Sequence, residues 1–62
     1  MRKLNKNPDI TKKAAQYGIF YYQIAAQLGI ADTTFSRMMR RKLDDATTTR
    51  VLKIIEELAR GA

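Results

Sequence analysis

Cysteine and histidine are both missing from this chain. Disulfide staples are therefore excluded, and so are the thiolate and imidazole ligand sets of the usual zinc sites. The three glycines are scattered singly, so there is no glycine-rich loop to cradle a phosphate. No internal repeat, low-complexity segment or linker is visible, and no apolar run approaches the roughly 20 residues needed to cross a bilayer. Charge is also absent from one long stretch, between residues 14 and 31. Asp44 and Asp45 are adjacent acids, but no histidine, cysteine or third acid lies near them in sequence, so neither a catalytic pair nor a metal site is expected. The absent nucleophile and ligand sets argue against an enzyme, a cofactor, a metal or a small-molecule substrate.

What is present is a short basic chain. Sixty-two residues form one domain at most. A domain of this size buries a smaller share of its surface than a larger one, so tight helix packing or self-association must supply stability. The net charge of +6 and a pI near 10.1 point to a polyanionic partner. The charge is unevenly placed. Residues 1–13 carry five cations against one acid, residues 32–42 four against one, and residues 44–62 three against four. The basic excess thus sits at the amino terminus and in the middle, while the last segment suits packing against protein. The charged MRKLNKN start, followed by no apolar segment, and the missing cysteines lead us to expect a cytoplasmic, nucleoid-associated protein without a membrane anchor.

The pattern predicts an all-α, compact four-helix domain over 7–62, preceded by a flexible basic arm over 1–6. That arm is either a solvated tail or a device for reaching a minor groove or phosphates. Asn7-Pro8-Asp9 reads as a helix start: asparagine caps, proline takes the first position, and aspartate complements the positive end of the dipole. That helix should run to about Tyr17 with Ile10, Ala14 and Tyr17 facing inward, and Gly18 should close it with Ile19 folding back. A second helix begins near Phe20, where Gln23 supplies half of a capping box. Tyr17, Phe20, Tyr21 and Tyr22 are expected to pack mostly in the core and at the helix junction, although Tyr21 or Tyr22 would alternatively place a hydroxyl on a phosphate.

Residues 21–41 organise the rest. Ile24, Ala25 and Leu28 repeat at helical spacing, Gly29 supplies a turn at positive φ, and Ile30 follows. A second run over 32–42 sets Phe35, Met38 and Met39 on one side and Thr33, Arg37, Arg40 and Arg41 within roughly 100° of arc on the other. An apolar flank opposite a basic, hydroxyl-bearing stripe is the pattern of a helix that enters a DNA major groove. Asp32 reads either as the cap of this helix or as a carboxylate accepting from a cytosine amino group. The final helix begins at Asp44-Asp45. From Val51 its apolar residues cover roughly 160° of arc, wider than the ~100° one core-facing stripe requires. Either the helix is deeply embedded or Val51, Leu52, Ile55 and Leu58 meet a second subunit.

The 21–41 segment resembles the helix-turn-helix of the Cro- and phage-repressor-type regulators, the lambda-repressor-like family. Ala25 with Gly29 four positions on, flanked by Ile24, Leu28, Ile30, Phe35 and Met38, fills that family's small-residue, turn and apolar positions. The resemblance covers about a third of the chain. It departs from the family in having four helices rather than five, Ala31 where serine is frequent, and Asp32 where glutamine is usual. By position it implies that Asp32, Thr33, Ser36 and Arg37 face base edges. It places Thr34 and Arg40 nearer the backbone, and Tyr21 at a phosphate.

With Tyr22, Arg41 and Lys42 added as phosphate contacts, the expectation is a sequence-specific, DNA-binding transcriptional regulator, a repressor of phage or mobile-element type. It would bind double-stranded DNA as a homodimer. The alternatives are a protein-interaction adaptor or antirepressor on the same scaffold, and a DNA-bending excision or architectural factor.

Overall fold

Helix boundaries here trace largely to local chemistry. A computed structural model describes residues 6–61, so of the arm expected over 1–6 only Lys6 falls inside, and the remainder of that expectation lies outside the described residues. Pro8 takes the first position of α1 (Pro8–Tyr17), where its missing N–H costs nothing, and Asp9 sits in the first turn. The helix stops at Gly18 with φ of 67°, and the Ile19 amide returns to the Ala14 carbonyl at 2.8 Å. Helix α2 (Tyr21–Leu28) opens with the Gln23 Oε1 atom accepting from the Phe20 amide at 2.8 Å. This is half of a capping box, since phenylalanine has no oxygen to return. Gly29, with φ of 75°, ends α2 in the same way, and the Ile30 amide donates to the Ala25 carbonyl at 3.0 Å. Both glycine ends are the six-to-one closure that a left-handed residue permits.

Helix α3 (Asp32–Met38) follows at once, and α4 (Asp45–Ala59) completes the set. Asp44 caps α4, accepting from the Thr47 amide at 3.2 Å. That cap and the Thr48 hydroxyl, which donates to the Leu43 carbonyl at 3.4 Å, anchor a first turn of threonines that are weak helix formers. The described residues contain four helices and no strand, which is the all-α architecture expected.

One core joins all four helices. Ile10 and Ala14 come from α1, Ile24 and Ala25 from α2, Phe35 from α3, and Val51, Ile54 and Ile55 from α4. Helix α1 packs on α4, while α2 touches both α4 and α3. Ala25 is buried on α2, the helix that both α3 and α4 contact. The Lys13 ammonium on α1 pairs with the Glu56 carboxylate on α4 across the edge of their contact.

Several expectations are corrected. Tyr17 is 47% exposed and does not complete the inward stripe of α1; Ile10 and Ala14 suffice to meet α4. The aromatic cluster is not core: Phe20 and Tyr22 are 63% and 61% exposed and stack on each other at 5.8 Å, leaving only Tyr21 half-buried, edge-on to Phe35 at 5.2 Å. Of the two alternatives for α4, Val51 and Ile55 take the embedded one rather than the subunit interface: both are fully buried inside the single chain, where α4 is contacted by α1 and α2. Leu52 and Leu58 remain half-buried at the rim. Glu56 and Arg60 stand at supportive spacing on α4, but the hydrogen-bonded partner of Glu56 is Lys13.

Candidate nucleic-acid interface

Helix α3 has seven residues and one inward anchor. Phe35 is fully buried, with the Tyr21 ring against it. On a helix this short, burying Phe35 and half-burying Met38 leaves the rest of the circumference outside. Asp32, Thr33, Thr34, Ser36 and Arg37 are all exposed. Every residue expected at base edges is thus brought to one solvent-facing surface, and no other part of the described chain covers it.

Asp32 is the first residue of α3 rather than its cap. The Phe35 amide bonds the Ala31 carbonyl at 3.1 Å, so the first turn begins one residue early, and Ala31 brings no side-chain cap. The Asp32 carboxylate is consequently not engaged in capping.

A second correction concerns where α3 ends. The basic helix expected over 32–42 stops at Met38, and Arg40, Arg41 and Lys42 belong to the connection to α4. Neither glycine nor proline stops it. The Arg40 and Arg41 amides tighten onto the carbonyls of Arg37 and Met38, both at 3.1 Å, and then Asn7 intervenes. Its side-chain Nδ2 donates to the carbonyls of Met39 at 3.1 Å and Arg41 at 2.8 Å, while its Oδ1 accepts from the Leu43 amide at 2.9 Å. In a continuing helix the Leu43 amide would bond the Met39 carbonyl. The carboxamide of Asn7 takes both of those groups, so the helical bond is replaced by a bridge to the start of α1.

Sequence reasoning assigned Asn7 to capping α1, and the structure shows otherwise. The side chain makes no cap bond and is 5% exposed, the buried polar residue among those described. Its main-chain carbonyl does start the helix, accepting from the Thr11 amide and hydroxyl, both at 3.1 Å. A carboxamide has two donors and an acceptor, which matches two carbonyls and one amide.

The connection held this way presents Arg40, Arg41 and Lys42 to solvent. Among the described residues, the salt bridge formed is Lys13–Glu56, and none of Arg37, Arg40, Arg41 or Lys42 is paired with an acid. A groove of about 380 Å³ lies between α3 and the connection, with Thr34, Arg37, Arg41, Lys42 and Asp44 among its lining residues. The Thr47 hydroxyl and amide hold the Asp44 carboxyl below its ordinary value. A neighbouring cleft of about 310 Å³ has Lys6 and Lys42 among its lining residues. Unpaired guanidinium and ammonium groups beside hydroxyls offer donors and positive charge, which is the chemistry that phosphates and base-edge acceptors require.

No group of three or more metal-ligating side chains is assembled among the described residues, and no helix there is long and apolar enough to cross a membrane. No protein-family model matches the chain, and no curated protein or solved structure matches it either.

Proposed function

We propose that the chain is a sequence-specific, double-stranded-DNA-binding regulator that lays α3 in the major groove. The observation carrying this reading is the division of α3 itself: Phe35 is wholly buried while Asp32, Thr33, Ser36 and Arg37 are exposed. Arg37 reads guanine through its O6 and N7 acceptors, Thr33 and Ser36 contact neighbouring edges, and Asp32 accepts from a cytosine amino group. Thr34, Arg40, Arg41 and Lys42 take phosphates, with Tyr22 adding a hydroxyl from the exposed start of α2. Tyr21 contributes through its edge-on packing on Phe35, which ties α2 to α3.

Seven helical residues span only about 10 Å, enough for one half-site. Two copies one helical turn apart, roughly 34–36 Å, restore affinity and impose a two-fold symmetric site. The half-buried Leu52 and Leu58 are the part of the expected self-association surface still available on α4. Occupying such a site at a promoter blocks or recruits the transcription machinery, in the cytoplasm and on the nucleoid.

The test is an electrophoretic shift with a pool of random duplexes. The expected outcome is retention at low salt that weakens by orders of magnitude between about 50 and 200 mM salt, through counterion release. A protein that shifts no duplex would instead favour the protein-interaction reading, with the exposed Phe20–Tyr22 ring pair as its surface.

A further inference from the structure

We propose that Asn7 is a positioning residue for DNA contact: it holds the connection after α3 in the shape in which Arg40, Arg41 and Lys42 meet phosphates. This rests on the DNA-binding reading above and adds to it a residue that itself touches no DNA. Three observations carry it. The carboxamide makes three hydrogen bonds of 2.8–3.1 Å to the backbone of 39–43 and none as a helix cap. The Asn7 side chain is buried, so its end of these bonds is partly shielded from competing water. The cations it carries into place are themselves exposed and without an acid partner among the described residues.

An ordered backbone under three long cationic side chains keeps them where they meet phosphates and reduces the conformational freedom lost on binding. The same bridge ties the connection to the residue following Lys6. Lys6 and Lys42 line one cleft together with Asp9 and Asp45, so the cationic surface the bridge sets up is that of Arg40, Arg41 and Lys42. Without the bridge the Leu43 amide and the Met39 carbonyl lose their partner, and the backbone that carries Arg40 and Arg41 loses the shape that aims them.

The experiment measures binding to a random-sequence duplex by fluorescence anisotropy across a salt series, well below the melting temperature of each protein. Four proteins are compared: wild type, Asn7→Ala, the Arg40→Ala/Arg41→Ala/Lys42→Ala triple variant, and the triple variant carrying Asn7→Ala. Asn7→Ala is expected to weaken binding about tenfold and to flatten the slope of log K against log salt by ~1–2, the signature of one or two lost phosphate contacts. In the triple background the same substitution is expected to change nothing further. A folded Asn7→Ala protein with wild-type affinity and slope overturns the positioning role, as does an equal loss in the triple background. If Asn7→Ala does not fold, Asn7→Ser replaces it: serine keeps the helix-start preference but lacks the carboxamide, and an unchanged slope there is equally fatal. A wild type that binds no duplex overturns the DNA-binding reading and this role together, whereas a bound wild type indifferent to residue 7 overturns this role alone.

Discussion

The Leu43 amide and the Asn7 side-chain oxygen, 36 residues apart, are joined by a 2.9 Å hydrogen bond. That bond and its two companions from Asn7 Nδ2 decide where the exposed α3 surface ends and where its cationic extension begins. Leu43 lies between helices, where an unpartnered amide would exchange quickly. Its hydrogen is expected to exchange at a rate comparable with helix interiors in the wild type, and to become fast in Asn7→Ala. Amide exchange followed by NMR checks this without reference to any ligand.

Phe35 and Thr33 lie on opposite sides of the same short helix and should respond oppositely to truncation. Phe35→Ala removes the one fully buried side chain of α3, at a cost of about 3–5 kcal/mol. At 62 residues a domain has only roughly 3–9 kcal/mol of stability, so this variant should lose a third of its stability or more. Thr33→Ala should stay within ~0.5 kcal/mol of wild type. Urea unfolding followed by circular dichroism measures both.

Gly29 sets the angle between α2 and α3 through its positive φ of 75°, and an added Cβ would meet nothing within 4 Å. The cost of Gly29→Ala is therefore conformational rather than steric, about 1–2 kcal/mol. For a domain of this size that lowers the melting temperature by roughly 4–16 °C. Gly29→Asn should lose less, because asparagine tolerates the left-handed region better. Thermal melts of the two variants side by side would show the order, and equal losses would point to a clash instead.

Acid should weaken the fold through two carboxylates. Hydrogen bonds from Thr47 lower the Asp44 pKa, and the hydrogen bond and charge of Lys13, aided by Arg60 and Lys53, lower that of Glu56. Both pKa values lie below those of the unfolded chain. Their stabilisation is therefore fully present above the unfolded values, near pH 4, and is lost as pH falls through the folded ones. Glu56→Gln should flatten the acid limb of a stability–pH curve, and the remaining limb should shrink in Asp44→Asn. Both groups are exposed, so added salt should reduce the Glu56 effect.

Much of this fold was legible because its signals are local. Gly18 and Gly29 end helices through bonds that reach back five residues at most, and Ile10, Ala14, Ile24, Ala25 and Phe35 show their burial in their spacing. The outward face of α3 followed directly from that spacing. Asn7 was not legible in the same way. An asparagine before proline reads as a helix cap, and its actual partners at 39–43 lie beyond any local window. The end of α3 was missed because neither glycine nor proline marks it, and the side chain that bridges the backbone beyond it is distant in sequence. Val51 and Ile55 illustrate a different limit. Periodicity reveals that residues share a face, but not whether that face meets its own chain or another copy. The aromatic residues around position 20 were assigned inward by their hydrophobicity, yet the small core is filled by Phe35 and aliphatic side chains, leaving Phe20 and Tyr22 outside.

The most direct test of the central claim is selection of bound sites from random duplex DNA by the wild type, Arg37→Ala and Arg41→Ala. The wild type is expected to enrich a two-fold symmetric sequence. Arg37→Ala should lose preference at one guanine per half-site, worth about 1–3 kcal/mol, while Arg41→Ala keeps the sequence, binds all DNA more weakly, and flattens the salt slope by ~1. Enrichment of no sequence, with an affinity indifferent to salt and to both substitutions, would contradict the account.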